Sequence, residues 1–146
     1  MAMEFTIQTD WHAEAFRRGS SYLVVVNIGY DTVIDHTYSV MVALDTAVGG
    51  GVDYIFCILD ADNKANTEQQ LFSGLDTTRI FTKEQRFAIL KAVFDATKLL
   101  LNQVNPERVS WFTWDADLPQ KAMVKYLQLA RTFEMCGYQV HASDVY

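Results

Sequence analysis

The stretch TKEQRFAILKAVFDATKLLLNQV, residues 82–104, is the clearest element of the sequence and decides the class of fold. It opens with TKEQ, residues 82–85, which matches a capping box, and its apolar side chains recur at helical spacing. The positions that this spacing predicts to be buried are Phe87, Leu90, Phe94, Thr97, Leu101 and Val104. The pattern therefore predicts a long amphipathic helix, which Asn105-Pro106 is expected to end.

The residues before this helix have the patterns of β-strands. Residues 4–8 alternate polar and apolar side chains, and the continuous β-branched run within residues 21–28 is typical of a buried strand. Four strands are predicted in all, at residues 4–8, 21–28, 36–44 and 52–59, the last apolar on both faces. Two short helices are also predicted, at residues 11–16 and 64–72, closed by Gly19 and Gly74.

The residues after the long helix complete a mixed α/β (α+β) pattern. A strand is predicted at residues 109–114, a second long helix at 118–136 with Gly137 as its stop, and a last strand at 138–145. The face of the second helix expected to point inward consists of Ala122, Tyr126, Leu129, Ala130 and Phe133. Antiparallel hairpins suffice for the first half of the chain, whereas helices must cross over between strands in the second.

Composition limits the classes of function. The 146 residues suit one domain, residues 1–146, and 50% of them are hydrophobic, enough for a sizeable core. A net charge of −6 and a pI near 4.9 argue against nucleic-acid binding. Arg17 and Arg18 are expected to cap the end of a short helix rather than form a basic patch. No apolar run is long enough to span a membrane, and no signal pattern opens the chain, so a soluble cytoplasmic protein is expected.

Cysteine and histidine spacing gives no sign of a metal or redox centre. Cys57 and Cys136 lie far apart among apolar neighbours, which is typical of buried reduced thiols. The three histidines are His12, His36 and His141, and none has a partner at the spacing of a metal site. The sequence therefore predicts no metal site.

Residues 81–140 have a layout that is similar to a known family. The long helix is followed by NPER (residues 105–108) before a strand, and the next helix carries KYL (residues 125–127) and ends in CGY (residues 136–138). This layout resembles the GNAT acyltransferase fold, in particular GNAT-like proteins of unassigned activity encoded by bacteriophages. In order of elements the resemblance covers nearly the whole chain. It implies a mixed, mostly antiparallel sheet of about six strands flanked by helices.

The resemblance also implies where a cofactor would bind. In GNAT enzymes a glycine-containing loop before the central helix lets the backbone approach the pyrophosphate of coenzyme A, and the helix N-terminus binds its charge. The corresponding residues 76–84 contain no glycine, so Arg79, Thr82 and Lys83 would have to bind acetyl-CoA instead. Tyr126 occupies the position of the tyrosine that protonates the CoA thiolate in these enzymes, although it also fits the buried face of its helix.

Two acidic pairs and one aromatic segment are further candidates for a site. Asp60 with Asp62, and Asp115 with Asp117, each follow a predicted strand, where α/β proteins commonly build sites. They could flank one cleft and supply a general base, or they could serve loop solubility and helix capping. The segment WFTW (residues 111–114) suits core packing, and an exposed tryptophan there would favour a protein interface.

Two functions of different classes follow from these features. The first is a non-catalytic GNAT-like domain without a cofactor that binds a protein partner. For this domain the resemblance implies a structural or host-interaction component of a bacteriophage, in the host cytoplasm or the virion. The alternative is a divergent acetyl-CoA-dependent N-acetyltransferase. A homo-oligomer is compatible with either function.

Overall fold

The computed structural model of the chain describes residues 3–5, 15–46, 51–71, 74–110 and 120–140, with the backbone alone for residues 74–76 and 120–126. Within these residues seven strands form one mostly antiparallel sheet, which three helices accompany. The strands are β1 (Met3–Phe5), β2 (Phe16–Arg18), β3 (Ser21–Asp31), β4 (His36–Thr46), β5 (Val52–Asp62), β6 (Thr67–Leu71) and β7 (Val109–Ser110). The helices are α1 (Gly74–Ile80), α2 (Lys83–Val104) and α3 (Gln120–Met135). The predicted mixed α+β class is confirmed.

Three 11-residue strands form the centre of the sheet, with β4 paired antiparallel to β3 on one side and to β5 on the other. The short strands β1 and β2 pair with opposite ends of β3. On the far side, β6 pairs antiparallel with the second half of β5, and β7 pairs in parallel with its first two residues. Two short strands therefore share each outer edge of the central three.

The two long hairpins, β3–β4 and β5–β6, use the same turn chemistry. Asp31 and Asp62 close the first strands, and each carboxylate accepts hydrogen bonds from two backbone amides of its own turn, at 2.9–3.2 Å. Asp35 and Asn66 end the turns with φ near +55°, a conformation that Asp and Asn tolerate. The helix predicted at residues 64–72 is wrong, because the turn that Asp62 initiates leads directly into β6.

The segment around Gly19 also differs from its prediction. Residues 11–14 lie outside the described chain, but Phe16–Arg18 is the strand β2, and Gly19, at φ +61°, turns it into β3. Arg17 and Arg18 therefore do not cap a helix. The guanidinium of Arg17 lies 5.6 Å from the ring centroid of Tyr22, and its Nε donates to the carbonyl of Gly19.

Helix α2 begins and ends as predicted, and its buried face agrees in part with the prediction, since Thr97 and Leu101 are buried and Phe94 and Val104 pack against the core. The capping box is present, since Thr82 Oγ1 accepts from the amide of Gln85 and the Thr82 amide donates to Gln85 Oε1. Asn105 ends the helix in the left-handed conformation. The buried residues are Ile89, Ala92, Val93, Ala96, Thr97, Leu100 and Leu101. Phe87 is 65% exposed, which contradicts its prediction, because the buried face is centred on the row Ile89, Val93, Ala96 and Leu100, to one side of the predicted stripe.

The hydrophobic core lies between the helices and one face of the sheet, here called the inner face. Its strand residues are Val24, Val26, Ile28, Tyr38, Val40, Val42, Leu44, Tyr54, Ile58 and Leu71. Helix α3 adds Leu129 and Phe133, both predicted to be buried, and the ring of Phe133 packs 5.2 Å from that of Tyr54. Gly137 follows α3 with φ +95°, in agreement with its predicted role as the stop.

Three further predictions can be compared with the described chain. Of the last predicted strand, residues 138–140 form no strand, and residues 141–146 lie outside the description. Cys57 is buried and Cys136 half-buried, and both thiols are free. None of the described helices combines the length and apolar character that a membrane crossing requires.

Candidate functional site

The sheet has a second surface, here called the outer face, whose centre is apolar. Side chains alternate between the two faces along each strand, and directly paired residues share a face. The register therefore aligns Leu23, Ala43 and Ile55 in one row and Val25, Met41 and Cys57 in the next. Among the described residues, the apolar side chains at the centre of this face are Phe16, Leu23, Val25, Met41, Ala43, Ile55, Cys57 and Leu59, the last in a row that otherwise contains Asn27, Ser39 and Gln70.

Several of these apolar side chains are exposed. Val25 is 37%, Ile55 40% and Phe16 47% exposed, whereas Leu23, Ala43 and Cys57 are buried. In the described parts of the chain, the ring contacts and hydrogen bonds between helices and sheet lie on the inner face. An antiparallel sheet with one face in water normally alternates apolar and polar residues, and a contiguous apolar patch instead marks a binding surface.

Charged residues lie at both ends of the outer face. Arg18, Asp45 and Asp53 occupy one end, where the hydroxyls of Ser20 and Ser21 donate to Asp45 Oδ1. Glu4 and Glu68 occupy the other end, in the row that contains Tyr30, Thr37 and Ala61. An apolar centre with a polar rim is the usual anatomy of a protein interface.

A polar cluster, here called the His36–Asp60 cluster, lies at one end of the inner face and also includes Asp62 and Gln69. Asp60 is buried, and its Oδ1 lies 2.6 Å from Nδ1 of His36 while its Oδ2 accepts from Gln69 Nε2 at 3.1 Å. On the other side of the imidazole, Nε2 lies 3.5 Å from Asp62 Oδ2. The pairs Asp60–Gln69 and His36–Asp62 stand directly opposite each other on neighbouring strands, which is why these side chains meet.

The carboxylates of this cluster favour the charged imidazole. The hydrogen bond with Asp60 raises the pKa of His36 above its ordinary 6.5, and the charges of both aspartates act in the same direction. The backbone amides of Ala65 and Lys64, with His36 itself, lower the pKa of Asp62. Burial raises the pKa of Tyr38, next to Asp60, to about 12, so its hydroxyl stays neutral. The position of the His36 ring between the carboxylates of Asp60 and Asp62 therefore favours its imidazolium form.

The pKa shift of His36 gives a pH dependence with a definite sign. A folded pKa above 6.5 means that the imidazolium stabilises the fold below pH 6.5, and that this contribution is lost as the pH rises through the folded value. The carboxylate of Asp62 acts oppositely. Its lowered pKa gives a contribution that is present above the ordinary value of 3.8 and is lost as the pH falls through the folded value.

We therefore expect an NMR titration of the His36 ring to give a pKa above 6.5, and Asp60→Asn to lower it, because the amide carries no charge. Glu68→Gln is the matched control: it removes a carboxylate from β6 on the outer face and should leave the pKa of His36 unchanged. An unaltered His36 pKa in Asp60→Asn would show that Asp60 does not govern this titration.

The residues proposed for a coenzyme site lie at the corner between α1 and α2. Arg79 is in the last turn of α1, and both it and Lys83 are exposed. The side chain of Thr82 is already used by the capping box, and Phe81 beside it is buried with its ring 5.4 Å from that of Tyr38. For Tyr126 only the backbone within α3 is described. Residues 111–117, which include the aromatic segment, Asp115 and Asp117, lie outside the described chain.

The structure corrects the predictions for the histidine and aspartate candidates and agrees with the prediction for Cys57, which is buried with a free thiol. Asp60 and Asp62 are residues of β5 rather than of a loop after it. Burial raises the pKa of Cys57 to about 11, so that thiol stays protonated. His36 does have carboxylate partners, which its spacing in the sequence did not reveal because Asp60 is 24 residues away. Among the described residues, no group of three such side chains is placed to hold a metal ion.

Sequence reasoning missed the outer face, although a signal for it was present. The apolar runs of β3 and β5 predicted strands buried on both faces, yet Val25 and Ile55 of these strands are exposed. A strand that is apolar on both faces therefore marks either a covered face or a face that binds a partner. No protein-family model, curated protein or solved structure matches this chain.

Proposed function

We propose that this chain is a non-catalytic GNAT-like domain that acts by binding another protein through its outer face. One observation carries the proposal: exposed apolar side chains, including Val25 and Ile55, occupy the centre of a sheet face, with charged residues at its two ends. Burying such side chains in an interface removes apolar surface from water, which favours association.

The order of elements supports the GNAT-like part of the proposal. Three long antiparallel strands precede the central helix α2, and a strand that pairs in parallel with β5 follows it before the next helix. The resemblance of residues 81–140 to bacteriophage-encoded GNAT-like proteins is the ground for proposing a structural or host-interaction component of a phage.

Two features support the absence of catalysis. In GNAT enzymes the two parallel strands splay apart and open the donor cleft, whereas here β6 occupies the edge of β5 beyond its pairing with β7. At the start of α2, the Gln85 amide, one of the groups that would face a pyrophosphate, donates to Thr82 Oγ1. Both features leave less room and fewer donors for acetyl-CoA.

A photocrosslinking amino acid at position 55 tests the proposed function. In cells that contain the natural partner, we expect a discrete adduct from position 55, at the centre of the outer face, and none from position 87. Phe87 is the matched control because it is also apolar and exposed but lies on α2. Equal labelling at both positions would show that the outer face has no special role.

Calorimetry with acetyl-CoA distinguishes the enzyme alternative. The proposed function predicts no micromolar binding. Binding in that range that disappears in Lys83→Glu would instead support a divergent N-acetyltransferase that uses the start of α2, with Arg79, Thr82 and Lys83 as cofactor contacts and Tyr126 as the acid.

A further inference from the structure

We infer that the outer face binds an amphipathic helix of a partner protein, with an apolar stripe that carries Lys or Arg beyond both of its ends. This inference rests on the proposed function and adds the chemistry of the partner. It follows from the dimensions of the apolar centre and from the sign of the charges at its two ends.

The apolar centre has the dimensions of one helix. It extends across four strands, from Phe16 on β2 to Ile55 on β5, and neighbouring strands lie about 4.8 Å apart, so it is about 14 Å wide. Along the strands it covers two rows, and on β5 alone Leu59 extends it into a third row that otherwise contains Asn27, Ser39 and Gln70, so its length from Ile55 to Leu59 is about 13 Å. A helix is about 10 Å across. One helix lying along the strands therefore covers this centre with an apolar stripe of about ten residues.

The inner face of the same sheet already binds a helix. There α2 packs on β3 and β4 with a narrow stripe of small and branched side chains, including Ala92, Val93 and Ala96. The outer face presents the alternate residues of the same strands, and its recessed positions, Ala43 and Cys57, are also small. A partner helix would pack there as α2 packs on the opposite face.

The charges of the outer face select a basic partner. Among the described strand residues, the two ends carry four carboxylates, Asp45 and Asp53 at one end and Glu4 and Glu68 at the other, against one guanidinium, that of Arg18. The two rows are eight residues apart along β5, or about 27 Å. A helix of about 18 residues spans this distance, with cations near both ends.

The same charges disfavour a second copy of this chain as the occupant. Two outer faces packed together would bring the four described carboxylates of each copy into one interface, with Arg18 of each copy as the cation that the described strands provide. Like charges across an interface are unfavourable, whereas Lys or Arg of a partner would complement each end. The whole chain is also acidic, with a net charge of −6.

Three 18-residue helical peptides with the same leucine stripe and with Lys, Gln or Glu beyond its ends test the inference by fluorescence anisotropy. We expect the Lys peptide to bind about ten-fold more tightly than the Glu peptide at 0.1 M salt, and the difference to shrink at 1 M salt, where the screening length falls to about 3 Å. Ile55→Asn and Val25→Thr should each weaken binding, whereas Phe87→Asn should not.

Different outcomes of this experiment overturn the inference alone or the proposed function as well. Equal binding of all three peptides at the outer face would overturn the basic partner and leave the proposed function standing. Binding unchanged by both Ile55→Asn and Val25→Thr, with both variants folded by circular dichroism, would place the peptide elsewhere and overturn the inference. A dimer in analytical ultracentrifugation that Ile55→Asn dissociates would identify a second copy as the occupant. Absence of peptide binding together with no crosslink at position 55 would overturn both proposals.

Discussion

Leu100→Ala is expected to lower the free energy of unfolding by about 2–5 kcal/mol, the largest effect of any substitution considered for this chain. Leu100 is completely buried in α2 and belongs to the core between this helix and the inner face of the sheet. Alanine at this position removes apolar contacts and leaves a cavity that a close-packed core fills only in part. Urea denaturation followed by circular dichroism measures the change.

The control for this substitution is Phe87→Ala on the same helix. Phe87 is 65% exposed, so its truncation should change the free energy of unfolding by less than about 0.5 kcal/mol. The amphipathic pattern of the sequence places Phe87 on the buried side and therefore predicts a large loss. A larger loss in Phe87→Ala than in Leu100→Ala would mean that α2 packs with the other side toward the sheet.

Thr97→Val is expected to cost about 1–3 kcal/mol, although the two side chains have nearly the same shape. The Thr97 hydroxyl donates to the carbonyl of Val93 at 2.6 Å, so its oxygen is left to accept from the hydroxyl of Tyr54, also at 2.6 Å. Burial raises the pKa of Tyr54, which keeps that hydroxyl a neutral donor. Valine removes the acceptor that Thr97 provides to this buried hydroxyl.

Tyr54→Phe and the double variant Tyr54→Phe/Thr97→Val complete a thermodynamic cycle. The double variant removes both partners, so it should lose less stability than the two single variants together, by about 1 kcal/mol. Thermal and urea unfolding of the four proteins provide the measurement. Strict additivity would show that the hydrogen bond between β5 and α2 contributes nothing beyond packing.

Periodicity was sufficient to predict the large elements. The strands β3, β4 and β5 and the helices α2 and α3 have long apolar patterns, and the observed bounds agree with the predicted ones to within a few residues. The predictions for the short elements were wrong, because β2 and β6 carry little apolar periodicity of their own. They form because Gly19 and Asp62 turn the chain back onto a strand that is already paired.

The site was harder to predict than the fold, because it depends on register. The sequence shows that β5 is apolar on both sides, but it does not show that the helices leave Ile55 exposed. Likewise, His36 meets Asp60 only because β4 and β5 pair with His36 opposite Asp62. A shift of one residue in the pairing of a strand with its neighbour would turn that strand's side chains to the other face of the sheet.

The pairing of β3 through β6 as successive neighbours has a consequence for how the chain folds. Each of these pairings joins strands adjacent in sequence, separated by four residues in β3–β4 and β5–β6 and by five in β4–β5, so little chain entropy is lost when they meet. By contrast, β7 reaches β5 across more than 45 residues, including the whole of α2. The strands β3 to β6 can therefore pair early in folding. The helices then pack on a sheet that is already ordered.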